Sequence, residues 1–295
     1  MKICKAIEKY LEWKGTYAST APNRYKPRLD QFKKFVGNNK DIMTLTGEDV
    51  IKFHTHMKES NYSLATVAYS GRILKNFFDF WKGRGESTLN PKEIISAKYI
   101  SPDKDVVNEE DMDDIDMVLD EHFRDDLLKK LIFHMLWDTG MRISELLDMN
   151  LDDIEEKNLK TGLRHAKVRS RKSMRYNLVV WGSEANRLLE KYLGYRLSQD
   201  TQEQALFISP YRRNLGRLTC RTIQRWVKEA SEMASLDKNI TPHSFRHGKA
   251  HQVLNSGGRI EDVQKILRHR SLESSLHYIN INPSKYMELA AQFLT

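Results

Sequence analysis

The residues best equipped for chemistry lie in the last fifth of the chain. The run Thr241-Pro-His-Ser-Phe-Arg246 sets His243 and Arg246 three residues apart, so both project from one face of a helical turn. His269 follows the next helical stretch, and Tyr278 comes nine residues after it. Far upstream, Thr139-Gly-Met-Arg142-Ile-Ser-Glu145-Leu places another arginine at a helix start. Two arginines, two histidines and a tyrosine form a set suited to attack of a phenol on a phosphodiester.

The requirements of that reaction assign roles. Negative charge builds on the non-bridging oxygens as phosphorus becomes five-coordinate. Arginine is always protonated, and its planar fork matches phosphate oxygens, so Arg142 and Arg246 would clamp them. A phenol with a pKa near 10 needs its proton removed, which His243 would accept. His269 would hold a phosphate oxygen or orient the phenol. The departing sugar hydroxyl needs a proton, and a lysine on a basic hairpin is in reach of that task. Because bond energy is kept in a phosphotyrosine, neither metal nor ATP nor another cofactor is required.

Each residue also has a plainer reading. Arg142 alone reads as a helix-end ion-pair partner of Glu145, and Tyr278 alone as a core tyrosine. His243, His247 and His251 recur every four residues and would line one face as metal ligands. The motif offers them no acidic or cysteine partner, so no metal site is expected.

The elements that must position these groups follow from periodicity. Ile3, Ala6, Ile7, Tyr10 and Leu11 form one helical apolar face, and Tyr25, Leu29, Phe32 and Val36 a second. Thr46 and Asp49 mark a helix start that presents Val50, Ile51 and Met57, and Ser63 opens a long helix ending near Gly83 and Gly85. These four helices predict a small bundle over residues 1–90. Asn90-Pro91 breaks it, and 91–107 reads as a linker. Asn108 before Glu109, Glu110 and Asp111 caps a helix and begins a second domain, 108–295. This second domain is predicted to be helical apart from residues 157–181. There eight basic side chains without an acid precede Leu178-Val-Val-Trp181, which reads as a basic hairpin or three-stranded sheet. The fold class is therefore mainly α with a small β-sheet. Asn282-Pro283 then breaks the chain, and Ser284 caps a last helix with Tyr286, Leu289, Phe293 and Leu294 on one side.

Charge supports a polyanionic partner. Residues 101–126 hold twelve acids against Lys104 and Arg124, which leaves the rest of the chain far more basic than its net +8. The Arg169, Arg171 and Arg175 group and the Arg212, Arg213 and Arg221 group are the expected DNA-binding cations. Two cysteines are too few for a disulfide scaffold. With no apolar run of roughly 20 residues and no signal-peptide core, the expected location is cytoplasmic, away from membranes.

The full constellation resembles the tyrosine recombinase (phage integrase) family, and in particular its Xer-like members. Arg142, His243, Arg246, His269 and Tyr278 match the family's motif residue by residue, in order, and the likeness extends over the N-terminal bundle. The resemblance implies a SAM-like core-binding domain, an α+β catalytic domain and a 3′-phosphotyrosyl intermediate at Tyr278. It also implies a hairpin lysine as general acid. The family's Gly-Lys-Gly text is replaced here by Val168-Arg-Ser-Arg-Lys172-Ser, so Lys172 is the first candidate and Lys167 the alternative. Arg268 stands where the family usually has glycine before the second histidine. The implied partners are duplex DNA with inverted half-sites and, on two duplexes, a homo-tetramer that is a monomer or weak oligomer when free. The final helix would then dock on a neighbouring protomer. The chain starts in the core-binding bundle, which favours a simple recombinase over one with an arm-site domain. A non-catalytic architectural protein of the same fold and a type IB topoisomerase are the competing readings.

Overall fold

The architecture was obtained as a computed structural model, which describes residues 1–17, 21–94, 105–124, 126–155, 163–169, 176–209 and 215–268. The chain separates into two compact units, Met1–Pro102 and Asp103–Thr295. The described residues are mainly helical, with one small antiparallel sheet.

The first unit is built from α1 (Ile3–Tyr17), α2 (Ala21–Val36), α3 (Gly47–Glu59) and α4 (Leu64–Lys82). Two of their starts follow from single side chains. Thr46 caps α3 in a reciprocal box with Asp49, and Ser63 caps α4 by accepting from the Thr66 N–H. The apolar faces close on a core of Ile3, Ile7, Tyr10, Leu29, Phe32, Phe53, Leu74, Phe77 and Phe78. Its rings meet edge to face, Tyr10 on Phe77 at 5.3 Å and Phe32 on Phe53 at 5.2 Å. Truncating one such ring, Phe77→Ala for example, costs about 3–5 kcal/mol. One expected core position differs: Ile51 is 51% exposed, and Phe53 is buried in its place beside Val50 and Met57. Helical spacing from Val50 reaches Phe53 and Met57, while Ile51 lies about 100° off that line.

The second unit is organised around α6 (Leu127–Thr139), where Leu131, Ile132, Phe133, Met135 and Leu136 are all fully buried. A helix with so wide an apolar face must be covered by neighbours, and its Lys129, Lys130 and His134 meet acids of neighbouring segments. Packed on it are α5 (Glu109–His122), α8 (Ser183–Leu197), α9 (Cys220–Met233), α10 (Pro242–Asn255) and the second strand of the sheet. Two short helices, α7 (Ile143–Asp148) and α11 (Ile260–Ile266), are also present among the described residues.

The sheet is an antiparallel pair, β1 (Arg164–Arg169) and β2 (Tyr176–Trp181), in which Lys167 faces Leu178 and Arg169 faces Tyr176. One isolated bridge, Ile154 to Ala166, is the nearest approach to a third strand among the described residues. Val179 and Trp181 point into the core, whereas Tyr176, Leu178 and Val180 are exposed, as period-two alternation requires. The acidic start of α5 is structural: Asn108 and Asp111 form a capping box, and Asp111 also pairs with Lys238 at 2.6 Å.

Candidate active site

Three segments distant in sequence meet beside α6. The first is the turn from α6 to α7. Gly140 ends α6 in the left-handed conformation at φ +53°, its N–H returning to the Leu136 carbonyl at 3.0 Å. Thr139 braces the same turn by accepting from the Met141 N–H at 3.2 Å. Arg142 follows as the residue before α7, its N–H donating to Glu145 Oε2 at 2.9 Å. Its guanidinium binds Glu145 Oε1 at 2.7 Å. The Arg142 side chain is 43% exposed, whereas that of Glu145 is 6% exposed.

The second segment is the N-terminal half of α10. Thr241 and Ser244 exchange hydrogen bonds across the first turn, and Pro242 occupies its opening position, so the start is tightly specified. From this turn Arg246 runs inward and is 1% exposed. Its Nη1 donates to the Gly140 carbonyl at 2.8 Å, and its Nη2 donates to the Leu267 carbonyl. His243 precedes it by one turn, with its ring edge-on to His247 at 4.5 Å.

The third segment is the end of α11. Leu267 is fully buried, and Arg268 lies beside Glu145 with Nη2 at 3.4 Å from Oε2. Burial works to raise the Glu145 carboxyl, but the Arg142 N–H and the two guanidiniums outweigh it and hold the group below the usual carboxylate range. Burial lowers the Arg268 guanidinium, and Glu145 opposes that.

Arg142 and Arg246 are thus brought to one junction, since Arg246 grips the carbonyl two residues before Arg142. Lys167 is described on β1, exposed and 2.6 Å from Glu155, which raises its ammonium. Arg221 is exposed in the first turn of α9, and Arg169 ends β1. Arg171, Lys172, Arg175, Arg212, Arg213, His269 and Tyr278 lie outside the described residues. No cluster of His, Cys, Asp or Glu fit for a metal occurs among the described residues. No described helix is long and apolar enough to cross a membrane.

Two contacts that support the site have no local signal in the sequence. Glu145 was placed as an ion-pair partner of Arg142, but its sharing with Arg268 carries no local signal. Residues 205–208 had no assignment. They form a buried bent segment that supports the exit from α7, with Leu206 N–H donating to Met149 O at 2.9 Å.

Comparison with known proteins decides the family, because the phage integrase family matches residues 106–285. The chain belongs to the phage integrase family. A tyrosine recombinase XerC from Roseiflexus sp. (strain RS-1) is 29% identical over 290 residues, covering 94% of this chain and 88% of its own. XerH recombinase bound to palindromic difH substrate, in a post-cleavage complex, superposes with a TM-score of 0.75 at 19% identity, covering 98% of this chain and 84% of its own. A lambda integrase (75-356) dimer bound to a COC′ core site gives a TM-score of 0.76 at 14% identity, covering 96% of each chain. At those identities the two structures establish the fold. As a phage integrase family enzyme with recombinase relatives along nearly its whole length, the chain belongs to the chemistry of DNA strand cleavage and rejoining.

Proposed function

We propose that this chain is a site-specific recombinase that cuts and rejoins duplex DNA through a 3′-phosphotyrosine on Tyr278. The observation that carries the reading is the Arg246 guanidinium seated on the Gly140 carbonyl, two residues from Arg142. Two arginines from segments about a hundred residues apart converge there, with His243 on the same helix. The family and its recombinase relatives favour this activity over the topoisomerase and architectural readings.

In this proposal Arg142 and Arg246 bind the non-bridging oxygens of the scissile phosphate. Carbonyls that fix the Arg246 fork in advance lower the reorganisation needed when charge develops. His243 takes the phenolic proton, and His269 holds a phosphate oxygen or orients the phenol. Phenolate oxygen bonds to phosphorus, and the bond to the sugar 5′-oxygen breaks. A hairpin lysine, Lys172 or alternatively Lys167, protonates that oxygen. Rejoining reverses the sequence, so the phosphodiester count is conserved.

Residues 1–90 serve as a core-binding domain, 91–107 as a linker and 108–295 as the catalytic domain. The cations Arg169, Arg171, Arg175, Arg212, Arg213 and Arg221 supply sequence-independent phosphate contacts. The palindromic substrate of XerH supports inverted half-sites as the target, and the dimer of lambda integrase on its core site supports pairwise occupation. Two such pairs form a homo-tetramer on two duplexes, in which the final helix of each protomer docks on the next.

The test is a covalent adduct. The full chain is incubated with nicked duplexes of randomised sequence and resolved on a denaturing gel. Wild-type protein is expected to give a protein–DNA adduct, and Tyr278→Phe to retain DNA without forming one. An adduct formed by Tyr278→Phe would overturn the assignment and make Tyr286 the next nucleophile to test.

A further inference from the structure

A buried carboxylate beside a phosphate-binding arginine raises an electrostatic difficulty. Glu145 holds Arg142 twice, through its guanidinium at 2.7 Å and its backbone N–H at 2.9 Å. Such a pair is neutral, and an arginine neutralised by its own carboxylate offers a phosphate little net charge.

A third group changes the balance. Arg268 Nη2 lies 3.4 Å from Glu145 Oε2, and both side chains are 6% exposed. The same guanidinium donates to the Ile266 carbonyl at 2.7 Å and lies 3.5 Å from the Thr139 carbonyl, in the turn that carries Arg142. Two cations therefore share one carboxylate, and the junction is left with a net positive charge. The backbone of Arg268 has φ +56°, a region in which glycine is at ease and arginine is strained. Strain of this kind persists where the surrounding structure over-determines it, as the three partners of this side chain do.

We propose that Arg268 is a positioning residue for strand cleavage: by sharing the Glu145 carboxylate, it leaves Arg142 the positive charge with which to hold a phosphate. The inference rests on the reading of Arg142 as a phosphate ligand. Arg268 acts on the substrate through Glu145 and Arg142.

The experiment compares Arg268→Gln, Glu145→Gln and the double variant in the full chain. Adduct formation is measured on nicked duplexes of randomised sequence at fixed ionic strength, with melting curves as the check on folding. Arg268→Gln is expected to lower adduct formation by roughly ten- to a hundredfold, less than outright loss of an electrostatic donor at the transition state. The double variant restores the net positive charge on Arg142 and should recover most of that rate. A purely packing role gives the opposite order, because the double variant removes a further partner from a buried junction. Arg268→Gly suits the positive φ and serves if the glutamine variant is poorly folded; its rate must fall and be rescued by Glu145→Gln in the same way. An Arg268 variant with the wild-type rate, or a double variant no better than that Arg268 variant alone, overturns the proposal. Arg142→Ala run in parallel separates the two readings: wild-type adduct formation by that variant would remove the phosphate role of Arg142, and this proposal with it.

Discussion

Gly140 offers the sharpest test of how the junction is packed. It sits at φ +53°, and a Cβ added there would stand 2.7 Å from Leu267 Cδ2 and 3.0 Å from Lys249 Cβ. Leu267 is fully buried, and Lys249 Cβ is fixed to α10. Gly140→Ala therefore incurs the left-handed penalty, about 1–2 kcal/mol, and an overpacking term of about 1–3 kcal/mol. The sum is roughly 2–5 kcal/mol for the second unit. Gly257→Ala is the control: its φ is +86° with nothing within 4 Å, so only the first term, about 1–2 kcal/mol, applies. Native-state hydrogen exchange, read peptide by peptide, gives the opening free energy of residues 103–295 separately from the helical bundle. The two variants should differ by about 1–3 kcal/mol, and Gly140→Ala should also lose adduct formation as its carbonyl leaves Arg246. Equal destabilisation by both alanines would refute the close packing of these three segments.

Arg142→Ala and Arg246→Ala should both abolish most adduct formation but differ in stability. The first removes a half-exposed side chain, whereas the second strips donors from two buried carbonyls and should cost roughly 2–5 kcal/mol in denaturant titrations. His134 makes the second unit pH-sensitive: burial lowers its imidazole, but the Asp116 bond at 3.2 Å and nearby acids raise it above the usual value. A raised folded-state pKa gives stability that is full below the unfolded value of about 6.5 and lost as pH rises through the folded one; the wild-type minus His134→Gln stability difference must shrink in that direction. A 5′-phosphorothiolate substrate, whose sulfur leaves without a proton, should rescue alanine at the true general acid. Rescue of neither Lys172→Ala nor Lys167→Ala would refute the hairpin assignment. Deleting residues 284–295 should leave a folded monomer that binds single half-sites yet assembles and recombines poorly; normal recombination in a gel-based assay would refute the docking role.

What the sequence discloses is chiefly what is local. The caps at Thr46, Ser63 and Asn108 are legible because each side chain bonds a backbone group three residues away. The stretch from Leu131 to Trp137, apolar except for His134, likewise announces a buried helix. Charge counting is less faithful. Arg196 and Arg217 add to the basic total, yet the first is 3% exposed and donates to the Ala205 carbonyl, and the second binds the Met149 carbonyl. Lys129 is also 3% exposed, over the Phe123 ring and paired with Glu229. Such cations brace the fold, so a net positive charge overstates the surface left for DNA. In the candidate site, residue types and order were readable, but the anchoring of Arg246 and the part taken by Arg268 depend on contacts 106 and 123 residues apart in sequence.

That separation orders events during synthesis. The bundle of α1 to α4 relies on neighbours close in sequence, and it forms from a stretch that leaves the ribosome before the second unit. The arginine junction instead closes a loop of over a hundred residues, and its last tie, the Leu267 carbonyl, is made near the end of the chain. A nascent chain can therefore hold a finished bundle long before it holds the arginine junction. The anchoring of Arg246 waits until synthesis has passed Leu267.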